Sequence, residues 1–240
     1  MQYIMAPLEA HYDDGFGAVG EAFKEGAEIL AKESGGRRIF WNHLPELFPL
    51  RHAIELFLKS GIIVMHRKLR ISYGSEPAST DKPMFLTRSG DWKSLFKSHD
   101  LAELYEYWKK LMTENKAKLT ESTKYKPDMS VPKELDDWIE KLGVVDPSSD
   151  YFRYPVSRNA KADTDKSPFK EDSMESLFPS EAPNEEKVRA LVIKNESGEW
   201  VRAFKLDEGT HKDISEAAWE AARMLSNFHA MMRIELTDGW

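Results

Sequence analysis

The stretch from Pro49 to Leu69 constrains this chain most: its centre, Ala53-Ile54-Glu55-Leu56-Phe57-Leu58 followed by Ile62-Ile63-Val64-Met65, is apolar on most sides. A helix of that kind has to be surrounded, so it predicts the middle of a helical domain. The interruptions are ordered as well. At about 100° per residue, His52, Glu55, Lys59, His66 and Arg70 fall within an arc of roughly sixty degrees. A charged row on so apolar a helix must reach water, pair internally or line a polar groove, because unpaired burial is costly. Glu55 and Lys59 have the spacing of an ordinary intrahelical ion pair. Three readings stay open at this point: a structural polar network, a ligand or phosphate groove, and a partner interface.

The rest of the chain supplies the surroundings. Phe16, Val19, Phe23, Ala27 and Leu30 recur at steps of three and four and predict a helix over Asp13 to Ala31, ended by Gly35-Gly36. Gly17, Gly20 and Gly26 weaken its propensity, so it depends on docking. Ser72 to Gly90, rich in Gly, Pro, Ser and Thr, predicts a loop. Ser98 is the expected cap of a helix carrying Leu101, Leu104, Tyr105, Trp108 and Met112, with Asp100 favourably placed in its first turn. A short helix through Leu135, Trp138, Ile139 and Leu142 is expected to stop at Gly143. Val188 to Ile193 and Trp200 to Phe204 flank Asn195-Glu196-Ser197-Gly198 as a β-hairpin, and Ala218, Ala221, Leu225, Phe228 and Met232 predict a last helix from Ile214 to Ile234. The fold class is therefore mainly α, a helical bundle with a small β-hairpin insertion or extension. Three parts are expected: a helical core over residues 1-156, a polar loop or partly disordered insertion over 157-187, and the hairpin plus C-terminal helix over 188-240, packed on the same core.

Composition removes several chemistries. The 240 residues include no cysteine, which excludes disulfides, thiolate metal sites and cysteine nucleophiles and fits a reducing, cytoplasmic setting. No apolar run has the length of a membrane span, and the start lacks the pattern of a signal peptide. With a formal net charge of -7, affinity for nucleic acid would have to come from a local basic patch. The seven histidines are scattered without an HExxH sequence, so no metal is expected. Gly15 to Gly20 lacks the lysine of a phosphate loop and no serine sits in a GxSxG elbow, so no cofactor is expected either.

Two segments, Arg51-His52-Ala53-Ile54-Glu55-Leu56-Phe57-Leu58-Lys59 and Ser98-His99-Asp100-Leu101-Ala102-Glu103-Leu104, resemble successive helices of the HEPN superfamily. Phe152-Arg153-Tyr154-Pro155, after Asp146-Pro147, is similar to a segment of some larger members, so the resemblance extends over about residues 49 to 156. It implies an antiparallel helical bundle that often forms homodimers. It also implies a superfamily of RNA-cleaving toxins, antiviral effectors and non-catalytic nucleotide-binding or regulatory partners, so the implied partners are RNA or a nucleotide, a partner protein, or a second copy.

The catalytic pattern of that superfamily, an arginine, four to six residues and a histidine, carries over to Arg223 and His229, with Met224 where a polar residue is common. Arg223 would stabilise charge on a phosphate and His229 would act on the ribose hydroxyl. In one unbroken helix the two lie about 9 Å of rise apart on separate faces, so a helix break near Ser226-Asn227 or a dimer groove is required. The function readings are a metal-independent endoribonuclease of a defence or toxin-type system, a non-catalytic nucleotide- or protein-binding module, and a structural scaffold. Candidates for a ligand or polar groove are His52, Glu55, Lys59, His66, His99, Arg153 and Tyr154. His99 and Asp100 are adjacent and point apart, so Asp100 is better explained as a cap. Tyr151, Phe152, Tyr154 and Trp41, with Arg37, Arg38 and Arg153, form a second set able to stack bases.

Overall fold

In the computed structural model, residues 2–34, 43–156, 160–177, 189–207 and 209–240 are described. The readings placed on Arg37, Arg38 and Trp41 lie outside them. After the short α1 (Gln2–Met5) and α2 (Phe16–Ser34), the central helix α3 runs over His43–Leu69 and contains Pro49. It begins more than a turn before the expected start. An internal proline costs about 3 kcal/mol in helix stability, but the extra turn buries Leu47 completely and brings Leu44 and Phe48 against the core. Packing outweighs propensity here. The helix ends where Arg70 adopts a left-handed φ of 54°.

Four further helices complete the bundle: α4 (Leu101–Glu114), α5 (Lys116–Glu121), α6 (Lys133–Val145) and, at the end of the chain, a long helix numbered below. Asp100 caps α4, its carboxylate accepting the Glu103 N–H at 3.0 Å; Ser98, the expected cap, is instead fully buried. Carboxylates accept amide hydrogens at a helix start better than hydroxyls do when the N-terminal dipole is also served. The sixth helix passes Gly143 and stops at Val145, because Leu142 and the Asp146 N–H hold its last turn.

Residues 70–100 bring a difference from the expected loop. They contain a hairpin, β1 (Met84–Leu86) against β2 (Trp92–Ser94), turned by Gly90 at φ 90°. Phe85 is fully buried, and with Leu86 and Trp92 packed against the core it fastens the hairpin to the bundle. The region between 157 and 187 also holds structure: α7 (Ala160–Lys166), β3 (Phe169–Asp172) and α8 (Met174–Leu177). The expected hairpin is present as β4 (Ala190–Lys194) and β5 (Trp200–Leu206), and β3 adds to it, giving an antiparallel sheet of order β3-β5-β4. The final helix is α9 (Lys212–Leu236).

The helix directions correct the antiparallel expectation. Phe23 meets His52 and Gly20 meets Phe57, so α2 runs opposite to α3. Tyr105 and Lys109 reach Asp136 while Ala102 meets Gly143, so α4 and α6 are also antiparallel. By contrast His99 meets Glu55 and Trp108 meets Gly61, so α4 runs in the same sense as α3. The hairpin connection is the reason: residues 70–100 carry the chain back to the level of Glu55 before α4 begins. Among the described residues no helix is long and apolar enough to cross a membrane.

Candidate functional site

The polar row of α3 resolves into separate environments. At its centre lies a buried charge network that includes two residues the sequence analysis did not single out as site residues, Arg51 and Asp146. Arg51 is 0% exposed and Glu55 1%. Arg51 Nη1 donates to Glu55 Oε2 at 2.5 Å, its Nε faces Asp146 Oδ2 at 3.2 Å, and Nη2 donates to the His99 carbonyl. Lys59 Nζ donates to Glu55 Oε1 at 2.6 Å. Asp146 also accepts the Tyr151 N–H at 2.9 Å. Two cations thus face two carboxylates, and the network is neutral without His99. Burial pushes the Glu55 carboxyl up, yet Lys59 and Arg51 outweigh burial and hold it below the usual range, so Glu55 is ionised. Burial, with Arg51 beside it, pulls the Lys59 ammonium down despite Glu55. The signal for Arg51 was its spacing of four from Glu55; Asp146 carried none, since its partner lies far away in sequence.

His99 joins this network from outside. Its Nδ1 lies 3.1 Å from Glu55 Oε1, and its side chain is 48% exposed. The carboxylate orienting the imidazole is therefore Glu55 from another helix, and Asp100 serves the helix cap. With Nδ1–H donated to Glu55 and the backbone carbonyl held by Arg51, both the tautomer and the position of the ring are set. Among the described residues no group bonds to Nε2.

One to two turns earlier on α3 the surface becomes aromatic and cationic. His52 stacks on Phe48, with ring centroids 6.1 Å apart, and meets Phe23 edge-on at 4.5 Å. Burial lowers the pKa of His52; Glu55 opposes that, and Lys59, Arg51 and Arg153 add to it. The guanidinium of Arg153 lies 5.8 Å from the centroid of Phe48 and 5.7 Å from that of Tyr154. Among the described residues no carboxylate lies within ion-pair distance of it. Arg153 does not bond Glu55 or Asp100, and this part of the expected set is separate from the buried network. Phe48, Phe152, Arg153, Tyr154 and Lys166 line an open groove of about 710 Å³. Lys166 is spoken for, its Nζ donating to the Tyr154 carbonyl at 2.8 Å and pairing with Asp163 at 3.3 Å. Arg153 is the cation this groove offers to a ligand.

His66 lies elsewhere and is structural. Its Nδ1–H donates to the Ile71 carbonyl at 2.8 Å, its Nε2 accepts from Tyr107 at 2.9 Å, and its ring stacks on Tyr73 at 3.9 Å. Burial pushes its pKa down from 6.5 to about 4, against a smaller opposing effect of the Ile71 carbonyl. The folded state holds it neutral while the unfolded chain binds a proton below 6.5, so the unfolded state carries more protons in this window. Stability is expected to fall by up to about 3 kcal/mol as pH drops from 6.5 to 4. His66→Gln should flatten that slope in urea unfolding curves taken across the window; an unchanged slope would place the acid sensitivity elsewhere.

The pair implied by the resemblance is not brought together within one chain. Arg223 is exposed, its side chain 61% accessible, and it pairs with Glu220 at 2.5 Å. His229 is 6% exposed, with Nε2 3.0 Å from Tyr3 Oη and Nδ1 3.1 Å from Ser60 Oγ. No break occurs near Ser226-Asn227, since α9 is continuous there. Burial lowers the pKa of His229, Asp13 and Glu21 opposing.

A larger cavity of about 1250 Å³ lies beyond Tyr154, between the end of α6 and the start of α9. Three of its carboxylates are already engaged, Asp146 with Arg51, Asp150 with Ser148, and Asp207 with Gly209 and Thr210; Asp165 also lines it. The smaller groove is the one whose exposed cation, Arg153, has no carboxylate partner among the described residues. Comparison with family models, with curated proteins and with solved structures finds nothing that matches this chain.

Proposed function

We propose that this chain is an HEPN-like protein that holds a short single-stranded RNA segment along α3, in the groove of Phe48, Arg153 and Tyr154. One observation carries the reading: Arg153 stands between two aromatic rings, without a carboxylate partner among the described residues, in an open groove. A guanidinium so placed takes a phosphate, and exposed rings beside it take bases without regard to sequence. Tyr154 is 51% exposed, enough to present its face. The net charge of -7 favours a local grip on a few nucleotides over a broad electrostatic one. The resemblance extends the proposal to a homodimer and to an intracellular defence or toxin-type setting.

Arg153→Ala is expected to weaken binding of a labelled single-stranded RNA by roughly ten- to one-hundred-fold, the value of a charge-assisted hydrogen bond of about 1.5–3 kcal/mol. It should also reduce the salt dependence of binding by about one released counterion. Fluorescence anisotropy at several salt concentrations measures both. If the variant binds as the parent does, with the same slope, the groove is not where RNA sits.

A further inference from the structure

We infer that the larger cavity beside the groove reads one base of the bound strand and selects guanine, with the Asp165 carboxylate as the acceptor. The inference rests on the RNA reading above and deepens it. The groove of Phe48, Arg153 and Tyr154 grips a short strand of any sequence, and the neighbouring cavity makes that grip base-specific.

The two openings share a wall. Tyr154 lines both the groove and the cavity of about 1250 Å³. Consecutive residues of α7 divide between them, Lys166 lining the groove and Asp165 the cavity. This border is firmly held: Lys166 is 1% exposed, donates to the Tyr154 carbonyl at 2.8 Å and lies 4.6 Å from the centroid of the Tyr151 ring. The end of α7 is thereby pinned where Asp165 meets the cavity. A strand with a phosphate on Arg153 has a chamber larger than a nucleobase next to it, one aromatic ring away. Single-stranded RNA is read in this manner, by turning a base out of the stack, resting it on an aromatic ring and bonding its edge.

Charge decides which part of a nucleotide enters. The groove presents a cation, which keeps the phosphate, whereas the cavity is lined by carboxylates, which repel it. The last turn of α6 also ends on the cavity wall, at Val144 and Val145, where helix carbonyls add partial negative charge. The side-chain donors in the cavity are spent. Ser148 donates to Asp150, Thr210 to Asp207, and Lys170 to the backbone carbonyls of Thr164 and Asp165 at 3.3 and 3.0 Å. Tyr151 Oη and His211 Nε2 meet each other at 3.2 Å. Burial, with Asp165, Asp163 and Asp146 adding to it, pushes the Tyr151 phenol up to about 12, so the ring stays uncharged. Among the described residues the Asp165 carboxylate meets neither a hydrogen-bond donor nor a cation. What the cavity holds out is therefore a pair of acceptor oxygens.

An ionised carboxylate only accepts, so it favours a base edge with two donors side by side. Guanine has that edge, in N1–H and the 2-amino group. Adenine and cytosine each set one amino group beside a ring nitrogen that accepts, and uracil sets its single N–H between two carbonyls. Each of these three would bring an acceptor against a carboxylate oxygen. One bidentate pair of this kind discriminates by roughly ten- to one-hundred-fold.

The test uses the full chain and fluorescence anisotropy on a labelled oligouridine with one central position varied. The strand carrying guanosine there is expected to bind roughly ten- to one-hundred-fold tighter than the strands carrying uridine, adenosine or cytidine. Inosine, which keeps N1–H and lacks the 2-amino group, should fall between. Asp165→Asn replaces one acceptor by a donor at an exposed position and should bring the ratio of guanosine to uridine affinity close to one; circular dichroism checks the fold. If all strands bind alike, if another base is preferred, if inosine equals guanosine, or if the preference survives Asp165→Asn, the cavity does not read guanine and the groove reading stands. If the parent binds none of the strands, both readings fall.

Discussion

Arg51→Ala is expected to lower the unfolding free energy by about 3–5 kcal/mol, the cost of removing one partner from a buried ionic network. A domain of ordinary stability has about 5–15 kcal/mol in total, so the loss is a large fraction of the whole. The size follows from what the guanidinium holds. It bonds Glu55, faces Asp146 and donates to the His99 carbonyl, and its side chain is wholly inaccessible to water. Without it Glu55 keeps Lys59, but Asp146 is left with a buried charge and the Tyr151 amide alone. Arg51→Lys should recover only part of the loss, because an ammonium is a point donor and cannot span three acceptors on different elements. Urea unfolding of the three proteins measures the order. A loss below about 1 kcal/mol for alanine, the range of an exposed pair, would show that the network contributes little.

Gly61→Ala should destabilise the protein by about 1–2 kcal/mol even though it improves a helix. Alanine in a helix interior is favoured over glycine by about 0.5–1 kcal/mol. At this position, however, the new methyl would lie 2.4 Å from Trp108 Nε1 and 2.8 Å from its Cδ1. The indole is 1% exposed, packed edge-on against Phe228, and has nowhere to retreat. Overpacking of a tight core costs about 1–3 kcal/mol, which exceeds the propensity gain. Gly26→Ala is the contrasting case, because nothing lies within 4 Å of the added carbon. It should raise stability by about 0.5–1 kcal/mol, measured in the same unfolding experiment. Equal effects of the two substitutions would mean that propensity, and not the Trp108 contact, decides the sign.

The contrast between those glycines also marks what could be seen without coordinates. The apolar periodicity of α2, α3, α4 and α9 was legible because each helix buries a face and repeats its apolar residues accordingly. The hairpin of β1 and β2 was not, since three-residue strands are too short to leave a period. At the site, the row of His52, Glu55 and Lys59 was visible as a stripe on one helix. Its division was not: a helical wheel places His66 and Glu55 on one line, while the partners that separate them, Tyr107 for one and Arg51 with Asp146 for the other, come from elsewhere. The contact of His99 with Glu55 was hidden for the same reason, the carboxylate standing 44 positions away in the chain. Local spacing reveals which side chains share a face and is silent on which distant group meets them.

The shared direction of α3 and α4 bears on how the protein is made. A helix packed against its immediate successor in opposite sense can bury its face as soon as the next turn emerges, whereas α3 receives α4 only after the returning connection and α9 only at the end of the chain. Contacts this distant in sequence slow folding relative to a simple up-and-down bundle. At synthesis rates of about 5–20 residues per second, the apolar faces of α3 wait on the order of ten seconds for the 25 residues of α9. During that interval its most hydrophobic segment is open to other nascent chains, and the helix at the far end of the sequence governs whether the central one stays soluble long enough to be enclosed.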